Sequence, residues 1–236
     1  LKVLVKAGYN IFISGATSTG KTTFLNVLAD YIPKTERVIT IEDSAELQIH
    51  GIENLVRMEV RQADGDGVSN VTLRDLIRTS LRMRPDRIIV GEVRGEEALD
   101  MIQSMNTGHD GSLSTGHANS PQDMLSRLET MALFASDIPI QAIRKQIASS
   151  IDIIVQLERL RDRSRRVTAI AEVLDCTEDA YILNPIFEFH EQDNLVMESS
   201  SYGDIPERVV GQLVRTGYHL MHRRKLHAAA LESAEI

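Results

Sequence analysis

Residues Gly15–Thr22 read GATSTGKT, and that spacing suits one kind of chemistry. Two glycines permit a tight loop whose backbone N–H groups converge on an anion, and a helix opening behind it adds partial positive charge. Gly15, Ala16, Thr17, Ser18, Thr19, Gly20, Lys21, Thr22 and Thr23 are therefore expected to wrap the phosphates of a nucleotide. Lys21 would reach the β- and γ-phosphates of ATP, and the Thr22 hydroxyl would ligate Mg2+.

Phosphoryl transfer to water needs a held metal and a group that orients the water. Two apolar runs end in carboxylates. RIIVGE places Glu92 just past a strand, with Gly91 where many phosphate-loop enzymes carry aspartate. Glu92 is expected on the Mg2+ side, acting through water. ITIED places Glu42 and Asp43 after another strand. In α/β sheets the C-terminal strand ends converge on the ligand crevice, so Glu42 is the candidate for polarising the attacking water. Asp43 and Glu46 are read as cap residues or supports behind it.

Two histidines, His109 and His117, sit among glycines, serines and threonines in NTGHDGSLSTGHANSP. No cysteine is near and no third ligand is spaced for a tetrahedral site, so zinc is set aside. A nucleophile–base pair lacks its partner. The surrounding serines serve better as turn and cap residues.

These residues need a scaffold, and the sequence spells one. YNIFISG (residues 9–15), RVITIED (37–43), NLVRMEV (54–60) and DRIIVGE (86–92) read as strands, with another short one near Ser112–Thr115. Helices are expected from Lys21, from Leu73 with Thr72 as cap, over GEEALDMIQSM, from Pro121 with Ser120 as cap, and over IPIQAIRKQIASS. RQADGDGVSN (61–70) reads as a loop. IDIIVQL, RRVTAIAEV and YILNPIFEF read as strands, the first pair forming a hairpin over RDRS. The tail from Ile205 is expected to be helical, with Val209, Val210, Leu213 and Val214 on one side. The fold class is α/β with a mainly parallel central sheet, a strand-rich C-terminal part and a helical tail.

Composition narrows the choices. The chain of 236 residues carries 26 Lys and Arg against 34 Asp and Glu, for a net charge of −8. That balance argues against bulk binding to nucleic acid. There is no tryptophan and aromatics are 4%, so base-stacking platforms are scarce. The single Cys176 excludes an intrachain disulfide and suits a reducing compartment. No apolar run reaches membrane-span length. The sequence opens at Leu1 without methionine and reaches a motif almost at once, so a further N-terminal region is expected.

Four segments, GATSTGKTT, ITIEDSAEL, RMRPDRIIVGEVRGEEALDMIQSMNTGHDGSLSTGHANSP and RLETM, together resemble the secretion-system traffic ATPases. These are the motors of type II and type IV secretion, of type IV pili and of archaeal surface filaments. The resemblance runs from about Asn10 to Phe189. STGHANSPQDMLSRLETM and ASSIDIIVQLERLRDRSRRVTAIAEV are most similar to the tight-adherence (Flp/Tad) pilus branch, often called CpaF-like. The resemblance implies a RecA-like ATPase domain at 1–190, an appendage at 191–236, a homo-hexamer, and a separate N-terminal domain. It also implies a cytoplasmic protein, peripheral to the inner membrane and working on a platform protein there. The phosphate loop, an aspartate box at Glu42–Glu46, a strand motif at Ile88–Glu92 and a histidine box at His109–His117 fall into place. The family's water activator matches Glu42. Ala16 and Ser18 depart from the family's frequent glycines.

The resemblance further implies arginines that stabilise γ-phosphate charge, some from a neighbouring subunit. Arg57 and Arg61 alternate with apolar residues and are the candidates, with Arg82, Arg84, Arg87 and Arg94 as alternatives. RLRDRSRR (159–166) reads as a solvated hairpin tip, and HRRK (222–225) as a helix face. His117 follows a strand expected beside that of Glu92, so it is read as the sensor of the γ-phosphate. His109, in the preceding turn, is expected to orient neighbours such as Glu92 or a subunit contact. Pilus assembly or retraction, or protein secretion, driven by ATP is the favoured function. A DNA-transfer motor, a small-molecule kinase and an inert nucleotide-binding scaffold are the alternatives. The acidic balance weighs against the first, the missing acceptor pocket against the second, and intact Lys21, Glu42 and Glu92 against the third.

Overall fold

In strand β1 (Ile11–Gly15) every residue is buried, and successive side chains divide between two cores. Phe12 joins one, Ile11 and Ile13 the other. The same division holds in β4 (Arg87–Val90), where Ile88 and Val90 face the first core and Ile89 the second. A strand apolar on both faces must lie inside a sheet covered on both sides, and the computed structural model has that arrangement. It describes residues 1–63, 69–192 and 208–231.

Among the described residues the sheet has nine strands in the order β3-β2-β4-β5-β1-β6-β7-β8-β9. Besides β1 and β4 these are β2 (Arg37–Glu42), β3 (Asn54–Glu59), β5 (Leu113–Gly116), β6 (Ile153–Arg159), β7 (Arg165–Cys176), β8 (Tyr181–Glu191) and β9 (Gly211–Arg215). The strands from β3 to β6 in that order are mutually parallel, and β6 through β9 pair antiparallel. The sheet is thus mixed, with a parallel half and an antiparallel flank. The hairpin over RDRS joins β6 to β7 as expected, closed by Leu160 N–H on Ser164 O at 2.8 Å.

Helices α3 (Leu73–Ser80), α4 (Glu97–Asn106), α5 (Pro121–Ala135) and α6 (Ile140–Ser150) pack on the Phe12 side. Helix α1 (Lys2–Lys6), unforeseen in the sequence, and α2 (Lys21–Ala29) pack on the Ile11 side. The caps read from sequence form: Thr72 and Asp75 make a reciprocal capping box, and Ser120 accepts from Asp123 N–H. Each such cap is worth about 1 kcal/mol.

The tail differs from the expectation. Leu213 and Val214 lie in strand β9, which pairs with Phe187–Glu191 of β8. A short helix α7 (Arg224–Ala228) comes only later. The Val209, Val210, Leu213, Val214 spacing suits a helix, but β-branched residues beside an open sheet edge gain a full ladder of hydrogen bonds by pairing. Ile205, where the helix was expected to start, and Asp64–Val68 of the expected loop lie outside the described residues.

Asn10, at the start of β1, ties three strand beginnings together. Its Nδ2 donates to Ser150 O at 2.7 Å, its Oδ1 accepts from Ser112 N–H at 3.0 Å, and its own N–H donates to Asp152 Oδ2 at 2.7 Å.

Candidate nucleotide site

Strands β1, β2, β4 and β5 run the same way, so their C-terminal ends meet at one edge of the sheet. Gly15, Glu42, Gly91 with Glu92, and His117 all lie there. The loop from Gly15 to Gly20 follows β1 and leads into α2. A Cβ on Gly15 would stand 2.4 Å from Leu157 O, so only glycine fits. Gly20 has φ 94, in the left-handed region where glycine carries no steric penalty. Ala16, Thr17 and Ser18 are exposed, while Thr19 is buried.

Lys21 Nζ donates to Gly15 O at 2.9 Å and Ala16 O at 3.0 Å, and lies 3.3 Å from His117 Nδ1. An ammonium can only donate, so Nδ1 is the acceptor and Nε2 carries the ring proton. That nitrogen is 2.5 Å from Glu92 Oε1. Glu92 Oε2 in turn accepts from Arg94 at 2.6 Å. Lys21, His117, Glu92 and Arg94 therefore form one continuous chain of contacts beside the loop.

The electrostatics follow from this crowding. Burial lowers the Lys21 pKa, against the pull of Glu92. Burial pushes the Glu92 carboxyl up, but Arg94, His117 and Lys21 together hold it below its ordinary value. Burial and then the Lys21 ammonium lower the His117 pKa, although Glu92 opposes them. Arg94 owes its place to a residue that sequence reading passed over. Buried Glu97 accepts from Arg94 N–H at 2.6 Å and Gly95 N–H at 2.9 Å, which fixes the turn after Glu92.

Glu42 is buried, and its Oε1 accepts from Glu46 N–H at 2.9 Å and Leu47 N–H at 2.8 Å. It lines a cleft with Thr22, Asp43, Glu46, Gly91, Glu92 and Arg94. The glycine at position 91 has a local cause: a Cβ there would stand 3.1 Å from Glu42 Cγ. Thr22 Oγ1 is 3.4 Å from Glu46 Oε2, and Asp43 lies 3.9 Å from Arg94. Among the described residues, no group of three or more His, Cys, Asp or Glu could hold a metal ion alone. A hydroxyl with one or two nearby carboxylates is instead a donor set for Mg2+ that shares phosphate oxygens and water.

Other expected residues stand elsewhere. Arg57 lies on edge strand β3 and donates to Ile49 O at 3.1 Å; Arg61 follows that strand and contacts Ser69 O at 3.4 Å. Neither touches the phosphate loop of its own chain. Arg87 is buried in an ion pair with Glu36 and donates to Val5 O. Arg82 and Arg84 are exposed. His109 precedes β5 and so lies at the opposite end of that strand from His117. Its Nδ1 is 3.2 Å from Ser104 O, near the end of α4, and not on Glu92. The expectation that it orients Glu92 is corrected accordingly: Gly108 and Gly111 turn the chain before the strand begins. The hairpin arginines were undervalued, because Arg165 Nε donates to Ser18 O of the phosphate loop at 2.8 Å. No signal along the sequence marks a contact between segments so far apart.

The type IV secretion system protein PtlH of Bordetella pertussis is 37% identical over 169 residues, covering 70% of this chain and 50% of PtlH. The crystal structure of the VirB11 ATPase from the Brucella suis type IV secretion system, in complex with sulphate, superposes with a TM-score of 0.66 at 31% identity. That match covers 72% of this chain and 52% of VirB11. The pilus retraction motor PilT with bound ADP shares the fold, with a TM-score of 0.53 at 22% identity over 78% of this chain and 48% of PilT. The chain spans about half the length of the curated relatives it matches. No helix among the described residues is long and apolar enough to cross a membrane. The model of the type II/IV secretion system protein family matches residues 1–199, and the chain belongs to that family.

Proposed function

We propose that this chain is the motor unit of a secretion or pilus machine. It is a RecA-like ATPase that hydrolyses Mg-ATP as a homo-hexamer, working on a platform protein at the cytoplasmic face of the inner membrane. The single observation that carries this reading is the contact chain Lys21–His117–Glu92–Arg94 at the mouth of the phosphate loop. The names of the relatives, a type IV secretion protein and the VirB11 ATPase among them, support the same class. Within that class, the histidine-box and hairpin segments favour the tight-adherence pilus branch. Residues 1–190 carry the motor in this reading, and residues 191–236 are attached to it.

The residues divide the work. The loop from Gly15 to Thr23 binds the phosphates, and Lys21 exchanges its carbonyl partners for β- and γ-oxygens. Thr22 and, through water, Glu92 would hold Mg2+, which would supply charge neutralisation for the phosphates. Glu42 orients the attacking water. Its rotamer is fixed in advance by Glu46 and Leu47 N–H, so little ordering remains for the reaction. His117, set between the lysine and the metal-side carboxylate, registers whether the γ-phosphate is present. The helix capped by Ser120 begins four residues later and passes the signal on. Arg57 and Arg61, on the edge strand, are offered to a neighbouring subunit in the ring.

The test is Glu42→Gln. Glutamine keeps an acceptor for Glu46 and Leu47 N–H but removes the charge. Mg-ATP affinity should stay within about threefold while turnover falls by roughly 10²-fold or more. Hydrolysis at the wild-type rate would remove Glu42 from the mechanism.

A further inference from the structure

The shape of the phosphate loop is held from outside as well as from within. Several of its carbonyls are held by side chains. Lys21 Nζ serves Gly15 O and Ala16 O, the Thr19 hydroxyl also donates to Ala16 O, and Ser18 O is served by Arg165. Ser18 has φ 62, a left-handed conformation that a non-glycine residue keeps only where its surroundings impose it. The peptide after Ser18 is trans, as no peptide bond among the described residues is cis. Its C=O and the Thr19 N–H therefore point in opposite directions. Fixing the carbonyl on Arg165 turns that N–H away from the hairpin. The Arg165 stem also lies against Gly20, with Cδ 3.5 Å from where a Cβ would stand.

Arg165 is itself held in place. It opens β7 directly after the hairpin turn, and Asp162 organises that turn. Asp162 Oδ1 accepts from Ser164 N–H at 2.9 Å and the Ser164 hydroxyl at 2.6 Å. Its other oxygen accepts from Val209 N–H at 2.9 Å. Val209 is buried and stands two residues before β9. One carboxylate thus joins the turn that presents Arg165 to the start of the C-terminal strand.

We propose that Arg165 is a positioning residue for nucleotide binding, and that the Asp162–Val209 bond makes its hold on the phosphate loop depend on the C-terminal segment. The inference rests on the nucleotide reading given above. It adds a direction of control: a partner that displaced residues 208–215 would loosen the phosphate loop without touching the nucleotide.

Calorimetric titration of the full chain with Mg-ADP tests this, with thermal melting as the control. Arg165→Ala should bind about tenfold more weakly than wild type and melt at the same temperature. Arg165→Lys, which keeps a donor for Ser18 O, should recover most of the loss. Asp162→Ala should weaken binding by about threefold in the wild-type background and by nothing further in the Arg165→Ala background, because the two act through one contact. Wild-type affinity in Arg165→Ala overturns the positioning role. A loss matched by lower melting temperature and not rescued by lysine overturns it too. Additive effects of the two substitutions overturn the link to the C-terminal segment. If wild type binds no Mg-ADP at all, the nucleotide reading itself fails, an outcome distinct from these.

Discussion

Two glutamates near opposite ends of the sheet are held in opposite ways. Glu172, on β7 beside the start of β6, is fully buried. It accepts from Met221 N–H, His222 N–H at 2.7 Å and Asn184 Nδ2 at 2.8 Å, and so pins the C-terminal segment. Around it, Tyr9 OH donates to His222 O, and Lys225 bridges Asp110 and Asp152. Glu92, at the phosphate-loop end, has a 22% exposed side chain; its Oε2 accepts from Arg94, while its Oε1 lies beside His117 Nε2 with no hydrogen-bond partner among the described residues. A carboxylate saturated by backbone amides is committed to one structure. A carboxylate held by mobile side chains keeps the freedom to exchange them for a metal or a water.

That contrast can be broken in order of size. Glu92→Gln should reduce ATP turnover by roughly 10²–10³-fold with the melting temperature unchanged; a large drop in melting temperature would place Glu92 with Glu172 as structural. Glu172→Ala should act the other way. It leaves two backbone donors and Asn184 without their acceptor, at about 3 kcal/mol, and so lowers Tm by roughly 6–12 °C. Nucleotide affinity at low temperature should be unaffected, as calorimetry would show.

The smallest effect concerns pH. The folded pKa of His117 is lowered from its ordinary 6.5. Between that value and the depressed one, the unfolded chain takes up a proton that the folded chain refuses, so stability falls as pH drops through the window. Denaturant melts from pH 7.5 to 5.5, on the order of one unit either side of the ordinary histidine value, should show this slope in wild type and a flatter one in His117→Asn. Equal slopes would mean that the Lys21–His117–Glu92 contacts do not govern the protonation of the ring.

Much of the site was legible because its chemistry is written in short segments. A loop of fixed spacing between a strand and a helix, and acids just past apolar strands, name Lys21, Glu42 and Glu92 without a third dimension. The apolar run YNIFISG likewise reads as a buried strand, though only the structure divides Phe12 from Ile11 and Ile13. What escaped depends on meetings between distant segments. Arg165 looks like one of several solvated arginines until the hairpin folds back on Ser18. The strand at 211–215 carries a spacing that also fits a helix, and only the open edge of β8 decides between them. His109 shares a sequence neighbourhood with His117, yet the strand between them separates the two. Gly91 shows the reverse case: its reason, the Glu42 side chain lying over it, is visible only in three dimensions.

Asn10 has a consequence for how the chain assembles. Its partners Ser112 and Ser150 lie 102 and 140 residues away, so the central parallel strands meet only after very long loops close, the slow step in such topologies. At that moment β1 could slide by one residue against β5 and β6. A slide of one would send Phe12 into the core of Ile11 and Ile13 and expose both cores to misfit. A primary amide that must give and accept at once, to two separate segments, finds both partners in only one alignment. Asn10 therefore singles out one alignment of β1, the strand that leads into the loop at Gly15–Gly20, against β5 and β6.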